Sequence, residues 1–258
     1  MRRTVAAARQ FEKDERFWVV AALMGIFHPE DGRVDRLAQL LAVALGERPP
    51  VGGFTTWQEC LAGGLQLYFE ANLPSPPEYR DWLGDHSSER TLIPHLIEAA
   101  AASGKFEGQT RVDAVLISEG TGFAVLFEAK VLSDAGNKTS YDVMRNQIAC
   151  NIDVMLNENP RLQPPLRHRK PELSCFVLLT PEIFKRKRHS RLYGWLIDPY
   201  RRDPASLAED LPHRDEATLE PVSERLGWLT FEDCQCIAPG ACRWLEPDSG
   251  PRSVPPDG

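Results

Sequence analysis

The chain has 258 residues, 42% hydrophobic and 26% charged, the proportions of a globular protein able to bury a sizeable core. Its apolar runs fall short of the ~18 residues that cross a bilayer. The arginine-led N-terminus is interrupted at Gln10, Glu12 and Lys13, so a cytoplasmic protein without membrane insertion is expected. The net charge of −7 excludes nucleic-acid binding by bulk attraction, but residues 161–202 hold eleven Lys/Arg against three acids. That is a local +8, leaving −15 for the remainder, the asymmetry of a polyanion-binding face inside an acidic protein.

In chain order, residues 12–26 and 31–46 read as helices, the second closed by Pro49-Pro50. Thr55 or Thr56 can cap a third helix reaching about Ala71. Residues 72–88 read as a Pro-rich connector, and Ser88 as the cap of a helix over 89–104 bent by Pro94. Strands follow at 111–118 and 123–131, a helix at 141–157 and a strand at 173–180. The basic segment 181–195 reads as helical, and "LGWLTFEDC" as a late strand. Residues 1–86 are expected to be a helical region packed on the core, 87–246 the core itself, and 247–258 a disordered Pro/Gly-rich tail. The six cysteines read as free thiols, since "CQCIAPGAC" supplies only three sulfurs. The fold class expected is α/β, a central mixed sheet flanked by helices.

Within these elements, "RVDAVLISEGTGFAVLFEAKV" puts Asp113, Glu128 and Lys130 into apolar runs. Alternation along the second strand puts Glu128 and Lys130 on one face. A two-residue type II′ turn at Gly120-Thr121 would make partner numbers sum to 241, setting Asp113 opposite Glu128. Opposed carboxylates repel unless they share a proton, pair with Lys130 or hold a divalent cation. On the helix at 89–104, Glu89 falls on the apolar stripe of Leu92, Ile93, Leu96, Ile97 and Ala100, whereas Glu98 faces away. On the helix at 141–157, Tyr141, Met144, Ile148, Ile152 and Met155 make the core stripe, with Gln147 and Asn151 at its edge.

Glu89, Asp113, Glu128-Ala129-Lys130 and Gln147 resemble the motif of the PD-(D/E)XK nuclease superfamily, with Val112 where the name-giving Pro would stand. The likeness covers 88–180 and implies a restriction-endonuclease-like αβββαβ core. It implies Mg²⁺ (or Mn²⁺) held by Asp113, Glu128, the Ala129 carbonyl and Glu89, with Lys130 polarising water or stabilising the phosphate and Gln147 positioning it. The activity implied is phosphodiester hydrolysis of nucleic acid, DNA ahead of RNA and as an endonuclease, in bacterial defence, restriction or repair. A homodimer or larger defence complex would be its setting. Lys185, Arg186, Lys187, Arg188 and Arg191 would grip the backbone without reading sequence, with Asn151 as a further nucleic-acid contact. The alternative is a nuclease-like module that binds nucleic acid or a partner without cutting.

Overall fold

Gly63-Gly64 decides the first departure from these expectations. In the computed structural model, which describes residues 15–90, 108–131, 133–135 and 142–245, helices α1 (Glu15–Phe27) and α2 (Arg33–Leu45) form as expected. The third helix, α3, is only Trp57–Cys60, and "LQLYFEANLP" is strand β1 (Leu65–Pro74). Thr56 does cap α3: its side chain accepts from the Glu59 N–H, and Glu59 Oε2 accepts from the Thr56 N–H at 3.3 Å. Two adjacent glycines stop it there, and an aromatic-rich alternating run follows, which pleats rather than coils.

The supposed connector is helix α4 (Pro77–Arg90), opened by a proline in its first position. Ser88 therefore lies inside a helix instead of capping one, and Glu89 is in its last turn. The remainder of the expected 89–104 helix, with Glu98, lies outside the described residues, as do Tyr141 and the tail.

Strands β2 (Gln109–Ser118) and β3 (Ala124–Ala129) pair antiparallel with Ala114 opposite Phe127 and Ile117 opposite Ala124, the expected sum of 241. The turn differs. Ser118 N–H donates to the Phe123 carbonyl and Gly122 N–H to the Ser118 carbonyl, closing a four-residue loop in which Gly122, not Gly120, has positive φ (79°). The two loops give the same register because the longer one takes one further residue from each strand and keeps the same centre. Gly120 is required for another reason: a Cβ there would lie 2.7 Å from the Ala62 carbonyl oxygen.

Helix α5 is Gln147–Met155, shorter than 141–157 because Asn146 caps it, its side chain accepting from the Ala149 N–H. Met144 thus falls before the helix and is 57% exposed, not core. Strand β4 (Ser174–Thr180) follows. The basic segment splits into α6 (Glu182–Arg186) and α7 (Leu192–Arg202). The break brings Arg188 back against Gly194, where a Cβ would lie 2.1 Å from the Arg188 carbonyl oxygen. Helices α8 (Pro204–Asp210) and α9 (Glu216–Leu219), strand β5 (Leu226–Thr230) and helix α10 (Phe231–Ile237) follow.

The five strands lie in the order β1-β2-β3-β4-β5, with β1, β2 and β3 antiparallel and β3, β4 and β5 parallel. Parallel strands must be covered on both faces. On one face α1, α2 and α10 pack over Val125, Phe127, Cys175, Val177 and Leu179. On the other, α5, α7 and α8 cover Leu126, Phe176, Leu178 and Trp228. β1 changes faces midway: Leu65, Leu67 and Phe69 pack on the first side, Ala71 and Leu73 on the second. The pivot is Glu70, at φ 54°, a conformation costly for a side chain with a Cβ. Among the described residues no helix is long and apolar enough to cross a membrane.

Candidate active site

The register that sets Ala114 against Phe127 brings Asp113 level with Glu128 at the end of β3. There the β2–β3 ladder gives way to a side chain, as Ala129 N–H donates to Asp113 Oδ2 at 2.8 Å. Lys130 N–H turns instead to β4, donating to the Leu179 carbonyl. Glu128 is fully buried and Lys130 nearly so; Lys130 Nζ lies 2.5 Å from Glu128 Oε1. The other carboxylate oxygen, Oε2, accepts from Asn151 Nδ2 at 3.0 Å. That same amide group donates one turn back to the Gln147 carbonyl, also at 3.0 Å. Asn151 Oδ1 is buried without a hydrogen-bond partner.

Glu15, the first residue of α1, completes the arrangement from 116 residues away. Its Oε1 accepts from the Val131 N–H at 2.8 Å and the Ser133 N–H at 2.9 Å, and Ser133 Oγ donates to the same carboxylate. Glu15 therefore clamps the segment that leaves Lys130. Glu70 stands level with Asp113 on β1 and pairs with Arg111 at 3.0 Å.

These placements set the electrostatics. Burial and then the Asp113 carboxylate push Glu128 up to about 8, against the pull of Lys130 and Asn151. Burial also raises Asp113, opposed by the Ala129 N–H and Lys130 and reinforced by Glu70 and Glu15. For Lys130, burial works downward, but Glu128, Asp113 and Glu15 outweigh it and hold the ammonium above its ordinary range. Glu15 is half-buried, and although burial works upward, its hydrogen bonds from Ser133 and Val131 leave it more acidic than usual. The site thus stores carboxylate repulsion that a proton or a cation would relieve.

Of the residues expected here, Asp113, Glu128, Ala129 and Lys130 come together, and Gln147 joins through its carbonyl. Glu89 is exposed in the last turn of α4 and shares no hydrogen bond or ion pair with this group; the stripe it was expected to join lies outside the described residues. Asn151 is present but fully buried against Glu128, so it supports the carboxylate and cannot lie on a nucleic-acid-facing surface. Glu15 was missed, since nothing in "EKDERF" marks one acid for a contact so distant in sequence. Glu70 was missed with its strand.

Among the described residues no three Asp, Glu, His or Cys side chains converge as a ready metal cage. The donors offered are the oxygens of two opposed carboxylates, which suit a hard divalent ion that retains several waters. The orphaned Asn151 oxygen beside Glu128 is a further acceptor of the same chemistry.

The basic segment is less free than its composition suggests. Arg169 is buried, donating to the Val154 and Asn157 carbonyls at the end of α5. Arg188 pairs with Asp198 at 2.8 Å and lies over the Trp228 ring, 4.7 Å from its centroid. Lys185 stands 3.7 Å from Asp233, Arg186 3.7 Å from Glu182, and the Arg191 guanidinium sits over Phe184. Lys187, Arg201 and Arg202 are exposed. Comparison with family models, curated proteins and solved structures returned no match.

Glu15 thus stands where a supporting acid was expected of Glu89. Glu15→Ala should lower any phosphodiesterase rate by about 10- to 100-fold, as loss of a residue that orients reacting groups does, while Glu89→Ala leaves it unchanged. Steady-state cleavage by the two variants checks this, and the reverse order would remove Glu15 from the site.

Proposed function

We propose that this chain hydrolyses phosphodiester bonds in nucleic acid with the help of a divalent metal, in the manner of the PD-(D/E)XK nucleases that its strand motif resembles. The observation that carries the reading is the meeting of Asp113, Glu128 and Lys130 at one end of a buried hairpin, with both carboxylates raised by burial. The mixed sheet between helical layers is compatible with a restriction-endonuclease-like core.

In this reading Asp113 and Glu128, with the Ala129 carbonyl, hold Mg²⁺ or Mn²⁺, which when bound supplies charge for the phosphate and an acidified water. Lys130 keeps its proton, held by Glu128, and offers a fixed cation where negative charge develops on the phosphate oxygens. Asn151 aims Glu128, and Glu15 fixes the backbone after Lys130 so that the ammonium does not swing into solvent. Gln147, half-buried at the start of α5, would orient substrate. DNA ahead of RNA, endonucleolytic cleavage and a place in bacterial defence or repair follow from the resemblance alone.

One observation favours the second reading, a module that binds without cutting: Glu128 has both oxygens engaged and no exposed surface. Incubation with circular and linear DNA and RNA in Mg²⁺, Mn²⁺ or EDTA decides. Cleavage that EDTA abolishes supports hydrolysis; binding without cleavage in either metal supports the module.

Both readings use the cationic face. Replacing Lys185, Arg186 and Lys187 with Gln should weaken binding alike for unrelated sequences. It should also flatten the log–log salt dependence by roughly one unit for each phosphate that is no longer neutralised. Arg188 is left out because its removal would strip the partner from Asp198 and uncover Trp228. Titrations at several salt concentrations read the slope, and an unchanged slope would move the nucleic-acid grip elsewhere.

A further inference from the structure

We propose that Trp195 is a platform on which an unpaired base stacks, so that the nucleic acid taken by this protein is single-stranded where it crosses α7. The inference rests on the nucleic-acid reading above and adds the form of the substrate.

Helix α7 begins against the segment that follows Lys130. Leu192 N–H donates to Asp134 Oδ1 at 2.9 Å, and the Tyr193 hydroxyl donates to the Ser133 carbonyl. Ser133 is the residue that Glu15 clamps. One helical turn after this contact stands Trp195. Three aromatics lie on α7, and two of them are core: Tyr193 is fully buried and Tyr200 is 2% exposed. Trp195 is 60% exposed, an unusual state for the largest apolar side chain.

The indole is nonetheless held in place. Its Nε1 donates to the His189 carbonyl at 3.2 Å, and the His189 ring packs against it with centroids 4.4 Å apart and planes 36° apart. A ring fixed before the ligand arrives loses little conformational freedom on binding. Beside it, His189, Asp198, Arg201 and Arg202 line an open surface hollow. Asp198 is already engaged by Arg188, so the balance of charge left to a ligand is positive.

An exposed aromatic face bordered by cations offers two things at once, a surface for a flat ring and charges for phosphates on either side of it. A duplex can use only the second, since its base faces are covered by their neighbours in the stack. An unpaired strand uses both. The position close to the segment after Lys130 would let the same strand pass the carboxylates.

The test is a fluorescence-anisotropy titration in EDTA with three labelled probes: an oligothymidylate, the matching sugar-phosphate strand without bases, and a duplex. Trp195→Ala should weaken oligothymidylate binding by about tenfold and leave the other two unchanged. Trp195→Phe should retain most of the wild-type affinity, because it keeps a ring. Equal weakening on all three probes, no weakening on the oligothymidylate, or failure of the wild type to bind it would each overturn the proposal. Metal is absent throughout, so failure to cut nucleic acid in Mg²⁺ counts against hydrolysis alone. A protein that cuts but ignores Trp195→Ala counts against stacking alone.

Discussion

A Lys130→Gln protein should lose metal-dependent cleavage by at least about 10²- to 10³-fold, the usual cost of removing one fixed charge or donor from a developing anion. The ammonium is 2.5 Å from Glu128, buried on a rigid strand end, and its backbone N–H is tied to Leu179. Glu128→Gln and Asp113→Asn should share the loss, because each removes one of the oxygen donors. Stability complicates the comparison, since breaking a buried pair by removing one partner leaves the other charge uncompensated. Glu128 can relieve this by taking up a proton, since burial and Asp113 already raise it and Lys130, which opposes them, is gone. The double variant Glu128→Gln, Lys130→Met removes both charges at similar volume and should melt close to wild type while remaining inactive. Cleavage rates read beside thermal melts separate the two effects. Wild-type cleavage by purified Lys130→Gln would remove Lys130 from the reaction and overturn this reading of the site.

The largest effect on stability is expected at Asp153, on the face of α5 turned away from Glu128. Asp153 is fully buried, with Arg145 Nη2 at 2.5 Å from Oδ2, and Arg214 Nε at 2.5 Å and His213 Nε2 at 3.0 Å from Oδ1. Arg145 is itself fully buried and lies over the Tyr79 ring, 3.6 Å from its centroid. The Tyr79 hydroxyl donates to Asp142, which also accepts two hydrogen bonds from Arg90. One carboxylate therefore joins α5 to the chain before it, to α4 and to the segment after α8. Asp153→Ala leaves two guanidinium groups without their shared partner and should cost about 3–5 kcal/mol, measured by denaturant unfolding. Asp153→Asn keeps the volume and should cost less.

The same group fixes an acid limit. Burial works against the Asp153 charge, but His213, Arg145 and Arg214 prevail and hold its pKa at about 2, below the ordinary 3.8. A carboxyl lowered on folding contributes stability that is complete above its unfolded pKa and is lost as pH falls through the folded one. The wild type should therefore lose roughly 2 kcal/mol more than Asp153→Asn between about pH 4 and pH 2. Parallel stability curves for the two proteins in that window would refute the assignment.

Much of this fold was legible before any coordinates. Periodicity placed α1, α2, the β2–β3 pair, β4 and β5, because each is a run whose apolar spacing has one consistent answer. It also put Asp113 opposite Glu128 and Lys130 beside it, although with the wrong turn. Register depends on where the loop is centred, and a four-residue loop closed by Gly122 has the same centre as the two-residue turn expected. The largest errors lay between residues 57 and 90, where glycine and proline were read as punctuation for the wrong elements. A helical period carried across Gly63-Gly64 hid β1 and with it Glu70. A connector inferred from prolines hid α4, in whose last turn Glu89 stands exposed.

What only the tertiary structure decided are the contacts between residues far apart in the chain. That Glu15 holds the backbone after Lys130, that Asn151 turns inward to Glu128 rather than outward to a ligand, and that Asp198 claims Arg188 are settled by how helices lie on the sheet. Local sequence carries periodicity, caps and turn chemistry, and so it specifies elements and short-range register. The partner of a charged side chain is chosen by packing and desolvation across the whole core, where the cost of an unpaired buried charge exceeds any local preference.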